Sequence, residues 1–283
     1  MRVLVTGAAG RIGRHVVAEL ASHGHEVHGL DRVAPPEDLA TTIASWQRSE
    51  LRDVEPFAEL LDRVHADAIV HLAAISSPLR STPQEVFTTN TQATFAVLEG
   101  AGRAGTSRVA IASSTSVTGL PFADPPRSPL YVPLDEAHPN IGSDAYALSK
   151  ETDEATARTM HRRHGYQVVA LRIANTSPMD YHVAEAAKVA ADSSYLSGEL
   201  WAYLDVRDGA RAFRLAVERE IPGCHVVNVM APDTYSMEPT AELLARHHPS
   251  TEGRREIPGR EVAFDLNRSR ALLGFTARHL LAR

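Results

Sequence analysis

Short apolar runs alternate with stretches of helical spacing from the first residues onward. Arg2 to Thr6 predicts a strand and Ile12 to Ser22 a helix. Glu26 to Leu30 predicts the next strand, ended by Asp31 and Arg32, and a loop with Pro35 and Pro36 follows. A short strand is expected just before Glu50, then a helix over Val54 to Val64, with Asp53 as its cap. Ala68 to Leu72 predicts a buried strand, Val86 to Ala101 a helix, and Arg108 to Ala112 another strand. Ser143 or Asp144 caps a predicted long helix that runs to about His164, where Gly165 stops it. Gln167 to Arg172 predicts a further strand. Such alternation predicts right-handed βαβ units and an α/β fold, a doubly wound parallel sheet with helices on both faces. After Asn175 the pattern loosens into proline, methionine and short helical pieces, with one more strand expected at His225 to Val229.

Composition narrows the classes. The chain has 283 residues, 43% of them hydrophobic, enough for one large α/β unit with a real core. Its net charge of −6 and the lack of a basic block argue against nucleic acid as a partner. No apolar stretch approaches a membrane span, and the N-terminal apolar run is too short for a signal peptide. The single cysteine, Cys224, excludes an internal disulfide framework and fits a reducing compartment, so the cytoplasm is the expected location. The 14 histidines match no metal-ligand spacing; no metal is expected, and most of them are expected on the surface.

Candidate chemistry begins at Gly7-Ala8-Ala9-Gly10-Arg11-Ile12-Gly13, between the first strand and the first helix. Gly7 permits a tight turn, Gly10 lets backbone approach a pyrophosphate, and Gly13 lets the helix pack closely on the sheet. Arg11 and Ile12 open the helix whose free N–H groups and positive dipole end face the phosphates. That places a dinucleotide on a Rossmann-type core. Asp31 ends the second strand, where an acid accepts from the adenosine ribose hydroxyls and repels a 2′-phosphate, so NAD is expected. Arg32 beside it keeps NADP open, since a guanidinium holds a phosphate. Glu50 and Leu51 either flank the adenine or sit on the surface. Leu72, Ala73 and Ala74 end the fourth strand with small residues, against which a cofactor lies flat.

Tyr146 and Lys150 stand four apart, on one face of the long predicted helix. A phenol, which ionises near about pH 10, needs help to act as an acid or base at neutral pH. A neighbouring ammonium and a positively charged nicotinamide both favour the phenolate. Ser113 and Ser114 follow the fifth strand, so a hydroxyl there reaches the carboxyl edge of the sheet and holds a substrate oxygen beside Tyr146.

In the order of these motifs the chain resembles the extended short-chain dehydrogenase/reductases, the family often labelled NAD-dependent epimerase/dehydratase. The resemblance covers most of the chain and is strongest from Met1 to Asn175. By that resemblance Ser114, Tyr146 and Lys150 form the catalytic set and Asn90 supports it. Ile173 is expected near the nicotinamide amide and Asn175 against the substrate, with Ser76 and Thr115 close by. Members usually pair through the helices that carry Asn90 and Tyr146, so a homodimer is expected. Residues 1–175 are read as the dinucleotide-binding core. Residues 176–283 are read as a small substrate-binding part, interleaved with late core elements in one compact unit.

Departures from the family pattern bear on substrate. Thr176-Ser177-Pro178-Met179 stands where nucleotide-sugar enzymes often carry a Tyr-Gly-Pro segment, and Thr118 stands in place of an aromatic residue. Thr115 and Ser116 occupy the positions of the acidic pair of sugar dehydratases. The first expectation is therefore a dehydrogenase interconverting a secondary alcohol and a carbonyl on a small sugar, sugar acid or polyol. A sugar or nucleotide-sugar epimerase with bound NAD is the alternative, and a non-catalytic dinucleotide sensor is a third reading from another class. A diphosphate would need a cationic clamp, for which Arg80, Arg127 and Arg207 are the candidates, Arg207 also reading as half of a structural ion pair.

Overall fold

The computed structural model describes residues 1–39 and 41–282. Seven parallel strands form the central sheet in the order β10-β7-β5-β4-β1-β2-β3. They are β1 (Arg2–Thr6), β2 (Glu26–Asp31), β3 (Ser45–Arg48), β4 (Ala68–His71), β5 (Arg108–Ser114), β7 (Gln167–Ile173) and β10 (Cys224–Val229). The strand order reverses at β1, which pairs β2 on one side and β4 on the other. In an open parallel sheet that switch point opens a crevice beyond the carboxyl ends of the strands.

Both faces of the sheet are covered, which explains why the strands read as continuous apolar runs. Val3 and Val5 point to the side covered by α1 (Arg11–Ser22) and α6 (Val206–Glu218). Leu4, between them, points to the side of α2 (Val54–Val64), α3 (Pro83–Arg103) and α4 (Ala145–His164). Side chains alternate across a strand, so one short run supplies both cores.

The helix ends follow their capping chemistry. Asp144 accepts from the amides of Tyr146 and Ala147 and starts α4, and Gly165, at φ 80°, ends it. Helix α3 begins earlier than its apolar spacing predicts. Thr82 caps it and Pro83 opens it, and the polar first turn hides that start from a hydrophobic pattern. Asp53 sits at the start of α2 but its side chain makes no capping hydrogen bond, so the expected cap is absent.

The remaining elements build a second layer over the carboxyl edge. Strands β8 (Asn175–Ser177) and β9 (Tyr203–Asp205) pair in parallel, linked through α5 (Met179–Ala191). Strand β6 (Tyr131–Val132) leaves the core after β5 and pairs with β11 (Glu252–Gly253), beyond α7 (Thr240–His247). Five of the 14 histidines, His28, His71, His138, His182 and His248, are buried, and the other nine keep exposed or part-exposed surface. Each buried one finds a ring-nitrogen partner, which is what makes burial of imidazole affordable: His182, for example, is bonded to Tyr235 Oη and Leu204 O. No described helix is long and apolar enough to cross a membrane.

Candidate active site

Gly7 turns at φ 70°, and a Cβ there would lie 2.7 Å from the amide nitrogen of Ala73. The loop therefore passes directly against the end of β4, closer than any side chain allows. A Cβ on Gly13 would overlap the Gly7 carbonyl, so α1 starts tight on the loop. Gly10 occupies the N-cap position without a side-chain cap. The first amides of α1, from Arg11 onward, are thus left to an anion, and the cradle fits a pyrophosphate. A cleft of about 640 Å³ flanks this helix start, lined by Ala9, Arg11, Arg14, His15 and Asp38 among others.

Asp31 ends β2 beside the loop. Its Oδ2 accepts from the Ala9 amide at 3.0 Å and its Oδ1 from the Val33 amide at 3.3 Å. Both bonds fix the acid against the rim of the glycine loop. Arg32 is exposed, and its carbonyl accepts from Arg48 Nε at 3.1 Å. Glu50 is exposed and its carboxylate pairs with Arg52 at 2.6 Å, which favours the surface reading of that residue. Leu51 packs at the edge of the core and Leu72 at its rim, while Ala73 and Ala74 continue past β4.

Tyr146 and Lys150 lie on the first turns of α4, both buried. Lys150 Nζ is 5.9 Å from the Tyr146 ring centroid. Phe122, from the loop after β5, meets the same ring edge-on at 6.4 Å between centroids. Lys150 Nζ donates to Ala112 O at 3.0 Å and to Asp153 Oδ2 at 3.1 Å. Burial is the largest single influence and opposes its charge, but Asp153, Tyr146 and Glu154 together outweigh it, and the pKa of Lys150 is held above the ordinary lysine value. Ser114 ends β5, and its Oγ accepts from the Ser116 amide at 3.1 Å; the turn that follows packs against α4.

The structure separates other expected residues from this centre. Ser113 donates to Glu154 Oε1 at 2.6 Å, on the core side of the sheet, so its hydroxyl faces away from a cofactor. The strand alternation that sends Ser114 to the edge sends Ser113 inward. Asn90 accepts from the Ile75 amide at 2.7 Å and donates to Ile75 O and to Ser149 Oγ, each at 3.1 Å. It fastens the chain after β4 to α4 and supports the site through backbone. Ile173 ends β7 and Asn175 opens β8, its Nδ2 3.4 Å from Tyr181 Oη. Thr115 is buried in the turn after Ser114, and Ser76 is exposed.

Three features were not legible as site features in the sequence. Glu154 and Arg172 form a buried ion pair at 2.8 and 2.9 Å behind Ser113, linking α4 to β7. Asp153, adjacent, is the counter-ion of Lys150. The third is the turn over the edge. Leu196, Leu200 and Trp201 all take left-handed backbone, at φ 61°, 50° and 54°. Trp201 Nε1 donates to Ser193 O at 3.0 Å and His248 Nε2 to Ser197 O at 2.9 Å, which hold the strain in place. Inside this turn, burial and the nearby Glu185 push the Glu199 carboxyl up to about 7.

A phosphate cradle at the sheet switch point, closed by an acid and faced by a buried tyrosine–lysine pair, has the arrangement of a dinucleotide-binding Rossmann-type fold. Residues 3–229 match the NAD dependent epimerase/dehydratase family, and the chain belongs to it. The UDP-glucose 4-epimerase of Azospirillum brasilense is 30% identical over 192 residues, 63% of this chain and 50% of that protein. The UDP-glucose 4-epimerase of Lacticaseibacillus casei is 28% identical over 180 residues, 62% and 52% of the two chains. The chain thus spans about half the length of these curated relatives. The solved structure of MoeE5 in complex with UDP-glucose and NAD is 26% identical, with a TM-score of 0.73 over 99% of this chain and 95% of that one.

Proposed function

We propose that the chain is an NAD-dependent sugar epimerase, acting at a secondary carbinol carbon that it oxidises and then reduces on the opposite face. The observation that carries the reading is the pairing of Tyr146 with Lys150, 5.9 Å from ring centroid to Nζ, beside a built phosphate cradle. Bound NAD supplies the hydride acceptor. Tyr146 Oη takes the hydroxyl proton of the substrate and returns it after reduction. Ser114 Oγ orients the same oxygen, Lys150 keeps positive charge beneath the phenol, and Asn90 fixes the wall opposite. The Gly7–Gly13 loop, Arg11, Ile12 and Asp31 hold the dinucleotide, and Ile173 abuts its nicotinamide end. Asn175 and Thr115 line the substrate side. Phe95 on α3 and Leu148 on α4 are 46% and 49% exposed, and we place a homodimer contact on those helix faces.

A dehydrogenase acting on a small sugar or sugar acid is the second reading. It is favoured by the arginines named as diphosphate clamps. Arg207 is committed to Asp205 at 2.8 and 3.0 Å, and Arg127 donates to Ile141 O at 2.7 Å; exposed Arg80 remains. The test is a panel of UDP-sugars, free sugars and sugar acids, followed both by epimer formation and by reduced-cofactor absorbance. Epimer formation without net NADH supports the first reading. Stoichiometric NADH from a free sugar or sugar acid supports the second. No turnover on any of them, with NAD bound, supports a dinucleotide sensor.

A further inference from the structure

A line of buried polar side chains runs behind Lys150, from the dinucleotide loop to the tyrosine. Thr6, just before Gly7, accepts from the amides of Leu72 and Ala73 at 3.3 and 3.4 Å. Its hydroxyl proton is therefore free to go to His71 Nδ1, 2.7 Å away. That leaves the ring proton of His71 on Nε2, which faces Thr94 Oγ1 at 3.3 Å. Beside Thr94 lies the Asp153 carboxyl, whose Oδ1 has no hydrogen-bond partner. Every member of the line, and Lys150 at its end, is buried.

The line has one polarity. Thr6 donates to His71 and His71 to Thr94, and next to Thr94 the Asp153 carboxylate meets the Lys150 ammonium at 3.1 Å. Aligned hydrogen bonds in a low-dielectric interior strengthen one another. The direction requires a neutral His71, and burial together with the Lys150 charge pushes His71 down to about 3. Of the three N–H bonds of the ammonium, one goes to Asp153 and one to Ala112 O, so the third is left for the Tyr146 side of the site.

We propose that Asp153 is a positioning residue for the tyrosine–lysine pair: its carboxylate is the counter-ion that keeps Lys150 an ammonium beneath Tyr146. This rests on the assignment of Tyr146 and Lys150 made above. A lone ammonium in this interior sheds its proton, because burial penalises charge and nothing else at that end of Lys150 carries a full negative charge at contact distance. The charged or titratable groups around it are Tyr146, Asp153 and Glu154 on α4 and His71 on β4, and Glu154 is already paired with Arg172.

The test needs no substrate. Tyrosinate formation is followed by ultraviolet difference absorbance in the whole protein, and the step missing from Tyr146→Phe is assigned to Tyr146. In Asp153→Asn, which keeps the shape and removes the charge, that step moves to higher pH by about one unit or more, as expected when an opposite charge is lost. In a Lys150→Met background the same Asp153→Asn substitution leaves the step unmoved, since the effect passes through the lysine. Asp153→Ser, which removes the same charge with a smaller side chain, moves the step in the same direction and serves if Asp153→Asn does not fold. A step that stays in place or moves down in the folded variant overturns the proposal, as does an equal move in the Lys150→Met background. If the step moves as expected but Tyr146→Phe turns substrate over normally, the functional assignment fails while the ion-pair role stands. If it does not move and Tyr146→Phe is inactive, the positioning role fails and the assignment stands.

Discussion

The Asp31 carboxylate accepts the Ala9 amide at 3.0 Å, so the acid that ends β2 and the glycine loop that follows β1 are one bonded unit. Asp31 thereby holds the loop, and in the proposed function it also faces the ribose. Replacing it by alanine is expected to weaken NAD about tenfold or more, the scale of a lost hydrogen bond to a charged group, and to narrow the preference for NAD over NADP. Calorimetric titration with both cofactors measures it. Tighter NADP than NAD in the unaltered protein would transfer the discriminating role to Arg32.

Tyr146→Phe removes the one hydroxyl the reading uses for proton transfer and leaves the ring in contact with Phe122 and Lys150. Turnover on whichever sugar the panel identifies is expected to fall by about 10²–10⁴-fold, with NAD affinity within a few-fold of the original. Steady-state kinetics and cofactor titration on the same preparation separate the two effects.

Glu154→Gln takes the charge from a buried pair and leaves the Arg172 guanidinium uncompensated in the core. Removing one partner of such a pair costs about 3–5 kcal/mol. Denaturant unfolding of Glu154→Gln against the parent reads this directly. Ser113→Ala, which deletes a single neutral donor to the same carboxylate, is expected to cost less, about 1–3 kcal/mol.

Glu199 gives stability a dependence on pH. Its carboxyl is pushed from 4.5 up to about 7 in the fold, so between those values the native state holds a proton that the unfolded chain has released. Stability from this group is present in full below about 4.5 and is lost as pH rises through about 7. Glu199→Gln keeps the neutral shape at every pH. Its melting temperature is expected to match the parent near pH 4.5 and to exceed it above pH 7, with the gap opening between those values. A gap that is constant with pH would show that Glu199 is ordinarily solvated.

The strands and helices of the core were legible because each is specified locally. The apolar runs of β1, β4 and β5 are buried on both faces, the Gly7–Gly13 loop joins a strand to a helix, and Asp144 and Gly165 mark the ends of α4 with their own side-chain and backbone chemistry. The spacing of Tyr146 and Lys150 is likewise set by one helix turn. Where the local rule was weak the boundary moved, as at the polar start of α3 and the uncapped Asp53.

What the amino-acid sequence determined by itself, then, is periodicity and spacing: the βαβ alternation, the phosphate loop, and two groups one helix turn apart. Only the tertiary structure decided which faces those groups share with residues far along the chain. Ser113 and Ser114 are neighbours in sequence, yet one joins Glu154 and Arg172 in the core and the other stays at the sheet edge. Asp153 carries no signal in the sequence, and only the folded helix buries it against the Lys150 ammonium. A buried charge is tolerated only when partners from other elements arrive together, and that simultaneous arrival is a property of packing that no one-dimensional pattern records.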